Sequence, residues 1–389
     1  MKEILEETIV KCIDYIEKRD YKSYDVFDAL NSKPINKLLK NQILLRRVVN
    51  QVNARLPINI RPLIGVKKMV HTKTISDLLS IYSMMYTRTK NVHYKEKADE
   101  MFHILWDRRI EVEDGFGWGL EFPYTTRFTN ACEKTPNLYN TINATHSIID
   151  YYEAFKSVDL KSVIDKVLYF ILEYLGIVDE TEDISWLRYY PKQTGMPTPN
   201  VNATSASLFV RINSFYENEI EPSLILKLLN FVKSSQNKDG SWYYTTTPNG
   251  KWIDGFHTGF ILESLALIKA IESSYPVDQM LQSGSNFYLT QLIDQNYIPK
   301  YFHNNTYPIE SQNCAQGIQT LAKLISFDHQ DLKTTLKNTI NVVIEKLYNK
   351  NGYFYHKKEK LYTNKQYYAR WSQTPMILSF LFSLKAFDE

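Results

Sequence analysis

The amino-acid sequence predicts an all-α fold, an (α/α)6 toroid made of six helical hairpins, and three observations carry that reading. First, an aromatic turn, usually Asp or Asn followed by Gly and an aromatic residue, recurs along the chain. Its markers Trp118, Trp186, Trp242, Tyr297 and Tyr353 stand about 55 to 70 residues apart, the length of a helical hairpin with its loops. Second, each marker is followed by a segment in which Ala, Gly, Ser and Thr alternate with apolar residues, as suits inner helices whose backbones crowd together. Third, each such segment precedes a longer one with a single apolar stripe and one charged face, the pattern of an outer layer that meets water on one side.

Taken in order, the first hairpin pairs an inner helix at Ile75–Tyr86 with an outer one at Tyr94–Arg109. Inner helices then begin near Asn137, Asn202, Phe256 and Gln312, each followed by an outer helix: Val163–Leu175, Ser223–Ser235, Val277–Ile293 and Leu332–Tyr348. A sixth inner helix, Tyr367–Ala386, ends the pattern with nothing after it to cover its outside. An open array would need a polar capping repeat there. The last helix is too apolar for that role, so an N-terminal helix, Ile4–Arg19 or Ile35–Gln51, is expected to close the ring. The expected organisation is one toroid over residues 1–389, with 20–70 as an N-terminal arm or closing segment.

Charge is nearly balanced, with 46 Lys and Arg against 43 Asp and Glu, and no phosphate-binding stripe stands out, which argues against a nucleic-acid partner. The N-terminus is amphipathic and acidic, unlike a signal peptide, and no stretch has the length of a membrane span. Three widely separated cysteines argue against a disulfide framework. These features predict a cytoplasmic protein without a transmembrane segment. His and Cys never occur at metal-ligand spacing, and no nucleotide loop or nucleophile elbow is present, so neither a metal nor another cofactor is expected.

The 28 tyrosines are an unusual share, and many lie in the loops that lead into inner helices, which all emerge on one face of a toroid. Trp118, Trp186 and Trp252 in these loops are candidates for stacking on sugar rings, with buttressing of the turns between hairpins as the alternative for the markers Trp118 and Trp186. The inner-helix starts form the floor of that basin and carry His146, Asn202, Asp254, His257, Gln312 and Arg370. Capping accounts for the Asn residues, but not for the two histidines or Arg370. Asp254 and His257 stand three apart at a helix start, a spacing that suits a general base or acid, with Gly255 and Gly259 leaving room for a ligand and a simple helix cap with a core histidine as the alternative. Glu121, Glu310 and Tyr124 are the expected partners for acid–base work across a sugar. Arg370 and Arg61 are the expected holders of a sugar carboxylate, with pinning of the arm by Asp25 or Asp28 as the alternative for Arg61.

Gln236-Asn-Lys-Asp-Gly-Ser-Trp242 resembles the Gln-x-x-x-Gly-x-Trp motif of terpene cyclases and prenyltransferase β-subunits, themselves α/α toroids. The acidic motif and zinc ligands of those families have no counterpart, so this resemblance implies architecture. Four segments in order, Tyr24-Asp-Val-Phe-Asp-Ala-Leu-Asn-Ser, Asn59-Ile-Arg-Pro-Leu-Ile-Gly-Val, Gly255-Phe-His-Thr-Gly and Tyr368-Ala-Arg-Trp-Ser-Gln, resemble bacterial α/α-toroid proteins associated with surface-polysaccharide biosynthesis. The last is also similar to the C-terminal domain of glucuronyl C5-epimerases. What these resemblances imply is a toroid acting on a uronate-containing or related oligo- or polysaccharide during its assembly, and the acid–base candidates above add the expectation of an enzyme working by epimerisation, β-elimination or hydrolysis. The alternatives are a non-catalytic glycan-binding or assembly protein on the same toroid and, more remotely, an isoprenoid enzyme.

Overall fold

The computed structural model describes residues 1–192, 196–325 and 332–388. Helix α1 (Lys2–Glu17) precedes an arm that carries α2 (Lys33–Leu38) and α3 (Ile43–Arg55). Paired helices follow: α4 (Thr72–Thr89) with α5 (Val92–Asp107), α6 (Leu138–Phe155) with α7 (Leu160–Leu168), and α8 (Pro199–Asn213) with α9 (Pro222–Ser234). Then come α10 (Gly255–Ile271) with α11 (Asp278–Phe287), α12 (Ser311–Ile325) with α13 (Leu332–Leu347), and finally α14 (Thr374–Asp388). Wider π turns extend α7 through Gly176 and α11 through Leu292, and another, Ala369–Gln373, leads into α14. The sixth inner helix therefore starts later than the apolar pattern from Tyr367 suggests.

The inner helices α4, α6, α8, α10, α12 and α14 pack side by side, and α14 returns to α4, so the ring is closed as an (α/α)6 toroid. Helix α1 packs on α14 and buries Leu5, Ile9, Cys12, Ile13 and Ile16. The alternative closing segment, 35–51, is divided between α2 and α3 in the arm. Apolar burial between the two layers supplies the core, and the small residues of the inner helices let that core stay thin.

The marker turns are the joints of this ring. Trp118 and Trp242 are buried and donate their indole N–H to carbonyls near the end of the preceding outer helix, Leu105 and Val232, at 2.9 Å each. The marker glycine meets the following outer helix. A Cβ at Gly115 would collide with the Lys166 carbonyl of α7, one at Gly240 with the Ser283 carbonyl of α11, and one at Gly352 with the Lys11 carbonyl of α1. Helix α1 thus occupies, at the last joint, the place that α7 and α11 occupy at theirs.

Gly240 and Gly352 both have φ of +91°. Replacing Gly352 by Ala adds a backbone collision to left-handed strain, whereas Gly65, at φ +74° with nothing within 4 Å, presents the strain alone. We expect Gly352→Ala to cost on the order of 3 kcal/mol and Gly65→Ala about 1 kcal/mol. Urea denaturation of the two variants measures both, and equal costs would mean that Gly352 is not a joint against α1.

Candidate functional site

Loops that lead into the inner helices gather at one end of the ring, and the inner helices present a partly accessible stripe to its lumen. On α6 that stripe is Tyr139, Asn143, His146 and Asp150; on the last turn and helix it is Trp371, Pro375, Leu378 and Phe382. The alternating spacing of three and four puts each stripe on one helix face, with the neighbouring positions buried.

Asp254 caps α10, accepting the backbone N–H of His257 at 2.8 Å. Its Oδ2 also lies 2.7 Å from His257 Nδ1 and accepts the Trp252 indole N–H at 3.0 Å. Asp254 is buried, whereas the His257 side chain keeps 25% exposure. Facing a carboxylate, Nδ1 carries the ring proton, which leaves Nε2 with its lone pair. Nε2 makes no hydrogen bond among the described residues. Gly255 and Gly259 make no room for a ligand here, because a Cβ at either would meet Asn313, Gln316 or Thr320 of α12.

An aromatic wall stands over His257. Tyr244 meets its ring edge-on at 4.6 Å and stacks on Trp252 at 4.6 Å. Phe128, from the loop ahead of α6, packs on both Tyr244 and Trp252, and Arg127 beside it donates to the Asn249 carbonyl at 3.1 Å. Two loops two hairpins apart are thereby joined across the basin.

The arm supplies the other side. Asp25, fully buried, accepts Arg370 through Nε at 2.6 Å and Nη2 at 2.9 Å, and the Trp371 indole at 2.9 Å. Burial opposes its ionisation, but the Arg370 guanidinium outweighs it and draws the carboxyl down to about 2. Arg370 Nη1 makes no hydrogen bond among the described residues. Phe27 packs edge-on against both Trp371 and Tyr124. Burial pushes the Tyr124 hydroxyl up to about 12, within reach of the Arg370 and Asp25 charges. Tyr244 in turn feels Tyr124 and Asp254, so tyrosines bridge the space between Arg370 and His257. Their rings are partly accessible while burial raises their hydroxyls, as expected for the walls of a deep concavity.

Several sequence candidates have other positions. Trp118 is the joint described above, and Trp186 is a buried strand residue opposite Val178. Asn202 is fully buried, accepting the Leu187 N–H at 2.8 Å and donating to the Thr198 carbonyl at 2.9 Å; it ties a marker strand to its inner helix. Arg61 has no exposed surface and donates to Asp28 at 2.6 Å, to the Asp25 and Val26 carbonyls and to Gln366, so it pins the arm and does not reach a ligand. Glu121 caps α4 through Thr72 and pairs with Arg108 at 3.3 Å. Burial opposes its charge, but His71 and Thr72 hold its carboxyl below the usual range. Glu310 caps α12 through the Asn313 N–H at 2.8 Å, next to the buried Gln312. His146 does face the lumen, beside Arg211 at 3.3 Å; burial and the Arg211 charge lower it to about 3, so it is neutral.

Sequence reasoning passed over three lumenal charge pairs, one of them Arg211 with Asp150 at 2.6 Å beside His146. Lys73 in the first turn of α4 pairs with Asp77 at 2.5 Å; burial works against the ammonium, but Asp77 and the nearby Tyr139 hold it above its ordinary range. Glu263 on α10 accepts Gln319 at 2.7 Å and Lys323 at 2.8 Å, both from α12. The signal was an ionisable residue at the small-residue face of an inner helix, where packing alone would place none. Among the described residues, no three His, Cys, Asp or Glu side chains converge as a metal site.

No known protein family matches the sequence, and no curated protein matches it. Solved structures do resemble it. A cellobiose 2-epimerase from Bacillus thermoamylovorans aligns with a TM-score of 0.65 at 11% identity, over 81% of this chain and 88% of that one. A family 76 α-mannanase from Bacteroides thetaiotaomicron aligns at 0.61 and 11% identity, over 82% and 86%. A D-mannose isomerase aligns at 0.62 and 10% identity, over 81% and 86%. At these identities the likeness establishes the fold.

Burial pushes Glu310 up to about 7, so the folded state holds its proton more tightly than the unfolded chain does. The stability this contributes is full below the unfolded value near 4.5 and is lost as pH rises through about 7. Gln keeps the capping oxygen without the charge. Glu310→Gln is therefore expected to gain on wild type across that window, by a few kcal/mol at most, in urea midpoints measured between pH 5 and 8.

Proposed function

We propose that this protein is a carbohydrate-active enzyme that performs acid–base chemistry on a saccharide in the aromatic basin, with His257 as its proton-transfer group. The observation that carries this reading is the His257–Asp254 pair: a buried carboxylate orients the ring, and Nε2 is left unpartnered beside Tyr244. The class of the compared toroids, an epimerase, a mannanase and an isomerase by name, supports a sugar as substrate.

Proton transfer at a sugar carbon fits the site better than hydrolysis. A hydrolase needs two available carboxyl groups, and Asp25, Asp77, Glu121, Asp254, Glu263 and Glu310 are each engaged by protein donors. In the proposed step Nε2 of His257 removes a proton from the carbon next to a carbonyl. The C–H electron pair moves onto the carbonyl oxygen, where a hydroxyl such as that of Tyr124, protonated at neutral pH, donates to the developing charge. Return of a proton to the opposite face gives an epimer; loss of a β-substituent gives elimination. A uronate is the finer reading, with Nη1 of Arg370 contacting its carboxylate, in polysaccharide assembly inside the cell. The charged lumen lined by Lys73, Asp77 and Arg370 does not suit an isoprenoid.

Incubating saccharides, uronates included, with the protein in D2O and following them by NMR tests the step, because proton transfer at carbon exchanges deuterium into the sugar and hydrolysis does not. We expect His257→Ala to lower exchange about 10²- to 10⁴-fold while leaving the melting temperature close to wild type. Undiminished turnover in that variant would reduce His257 to a residue of the helix cap. A protein that binds the sugars without altering them would instead be the binding module. Arg370→Lys, which retains a cation for Asp25, is expected to raise KM for a uronate more than for its neutral counterpart.

A further inference from the structure

Helix α3 is amphipathic the wrong way round. The face it turns toward the protein is polar: Arg46, Asn50 and Asn53 are buried. Arg46 donates to Thr125 at 3.1 Å and Asn36 at 2.7 Å, and Asn53 donates to the Val26 carbonyl at 3.2 Å. The face it turns outward is apolar, with Leu44 71%, Val48 55% and Val52 51% exposed at successive spacings of four. That stripe borders a shallow groove of about 650 Å³. Ile58 and Leu63 continue the apolar surface, 65% and 86% exposed. Asn364 donates to the Leu56 carbonyl at 3.4 Å, which sets the 357–364 hairpin, with its 97% exposed Leu361, beside the end of the helix.

The charge along the segment that holds α3 has one sign, and Glu359 of the neighbouring hairpin pairs with Lys357 at 2.9 Å. From Ala29 to Ser76 the chain has ten Lys or Arg residues and no Asp or Glu. Lys33, Lys37, Lys40, Arg55, Lys67 and Lys68 are exposed, and Arg47 partly so. An outward apolar stripe on a segment whose only charges are cations matches an anionic lipid surface, where leucines and valines enter the acyl boundary and each basic side chain adds electrostatic attraction. A second copy of the chain is the poorer match, because a two-fold interface would set this basic rim against itself. Among the described residues no helix is long and apolar enough to cross a bilayer, so contact here would be peripheral.

We propose that the outward face of α3, with Ile58, Leu63 and Leu361, docks the protein on anionic membrane surfaces. This inference rests on the arm and does not depend on the chemistry assigned to the basin. Sedimentation with phosphatidylcholine vesicles, with and without phosphatidylglycerol, tests it. Wild type is expected to bind only the anionic vesicles, less so as salt rises. The triple substitution Leu44→Ser, Val48→Ser and Val52→Ser is expected to weaken binding at least tenfold, and so, independently, is Lys37→Glu with Lys40→Glu. All five positions are exposed, so both variants should keep the wild-type circular dichroism. Absence of wild-type binding to anionic vesicles, or binding that the serine variant retains, overturns the proposal. So does a concentration-dependent dimer in sedimentation velocity that the serine substitutions abolish while vesicles are ignored.

Discussion

The contact on which the rest of this toroid depends is the close approach of each marker turn to the next outer helix. At Gly115, Gly240 and Gly352 the turn lies against a backbone carbonyl with no space for a Cβ, and at Trp118 and Trp242 an indole wedge holds the preceding outer helix. The Gly115–Trp118 and Gly240–Trp242 joints therefore each tie one outer helix to the next, which sets the step from hairpin to hairpin. Gln373 completes the last joint: it donates to the carbonyls of Gly352 at 2.8 Å and Cys12 at 3.1 Å and accepts the Phe354 N–H at 3.2 Å. One amide side chain so connects the fifth marker, the sixth inner helix and α1, joining residues from the two ends of the chain.

Much of this was legible in the sequence because joints and layers have short-range signatures. The aromatic markers, the small-residue inner helices and the one-sided outer helices located five hairpins and the unpaired sixth helix. The site was less legible, for a definite reason. Polar residues at the inner-helix starts serve two purposes that sequence cannot separate: Asn202 and Thr141 bind marker-strand N–H groups at 2.8 and 3.0 Å, whereas His257, one position nearer its helix start, keeps its side chain partly exposed. Carboxylates divide likewise. Glu121, Asp254 and Glu310 all cap inner helices, and only Asp254 also orients a titratable ring that reaches the basin. Arg61 and Arg370 look alike as cations near a motif, yet one is enclosed by carbonyls and Asp28 and the other keeps one nitrogen unpaired.

Burial inside a ring of helices also decides how these groups are charged. A lumen far from bulk water penalises every ion, so the charges that persist there are paired: Lys73 with Asp77, Arg370 with Asp25, Glu263 with Lys323. Groups without a strong partner lose charge instead, as His146 does at about 3 and Tyr124 does by holding its proton to about 12. The lumen is thus nearly neutral in sum yet rich in donors and acceptors. Such a surface suits hydroxylated rings, which offer many hydrogen bonds and little charge.

The arm connects the two surfaces on which the functional proposals rest. Its inward side holds Asp25 against Arg370 and Trp371, sets Phe27 on Tyr124, and through Arg46 and Asn50 binds the Thr125 backbone and side chain next to Tyr124. Its outward side is the apolar and basic face of α3. The polar side of an amphipathic helix ordinarily meets water; here it is required inside because the basin rim it supports is itself made of backbone and hydroxyl groups that need partners. The hydrophobic residues of α3 are left outward as a consequence of that demand. A surface covering them would bear directly on the helix that positions Tyr124 and Asp25, so docking and the geometry of the basin share one element.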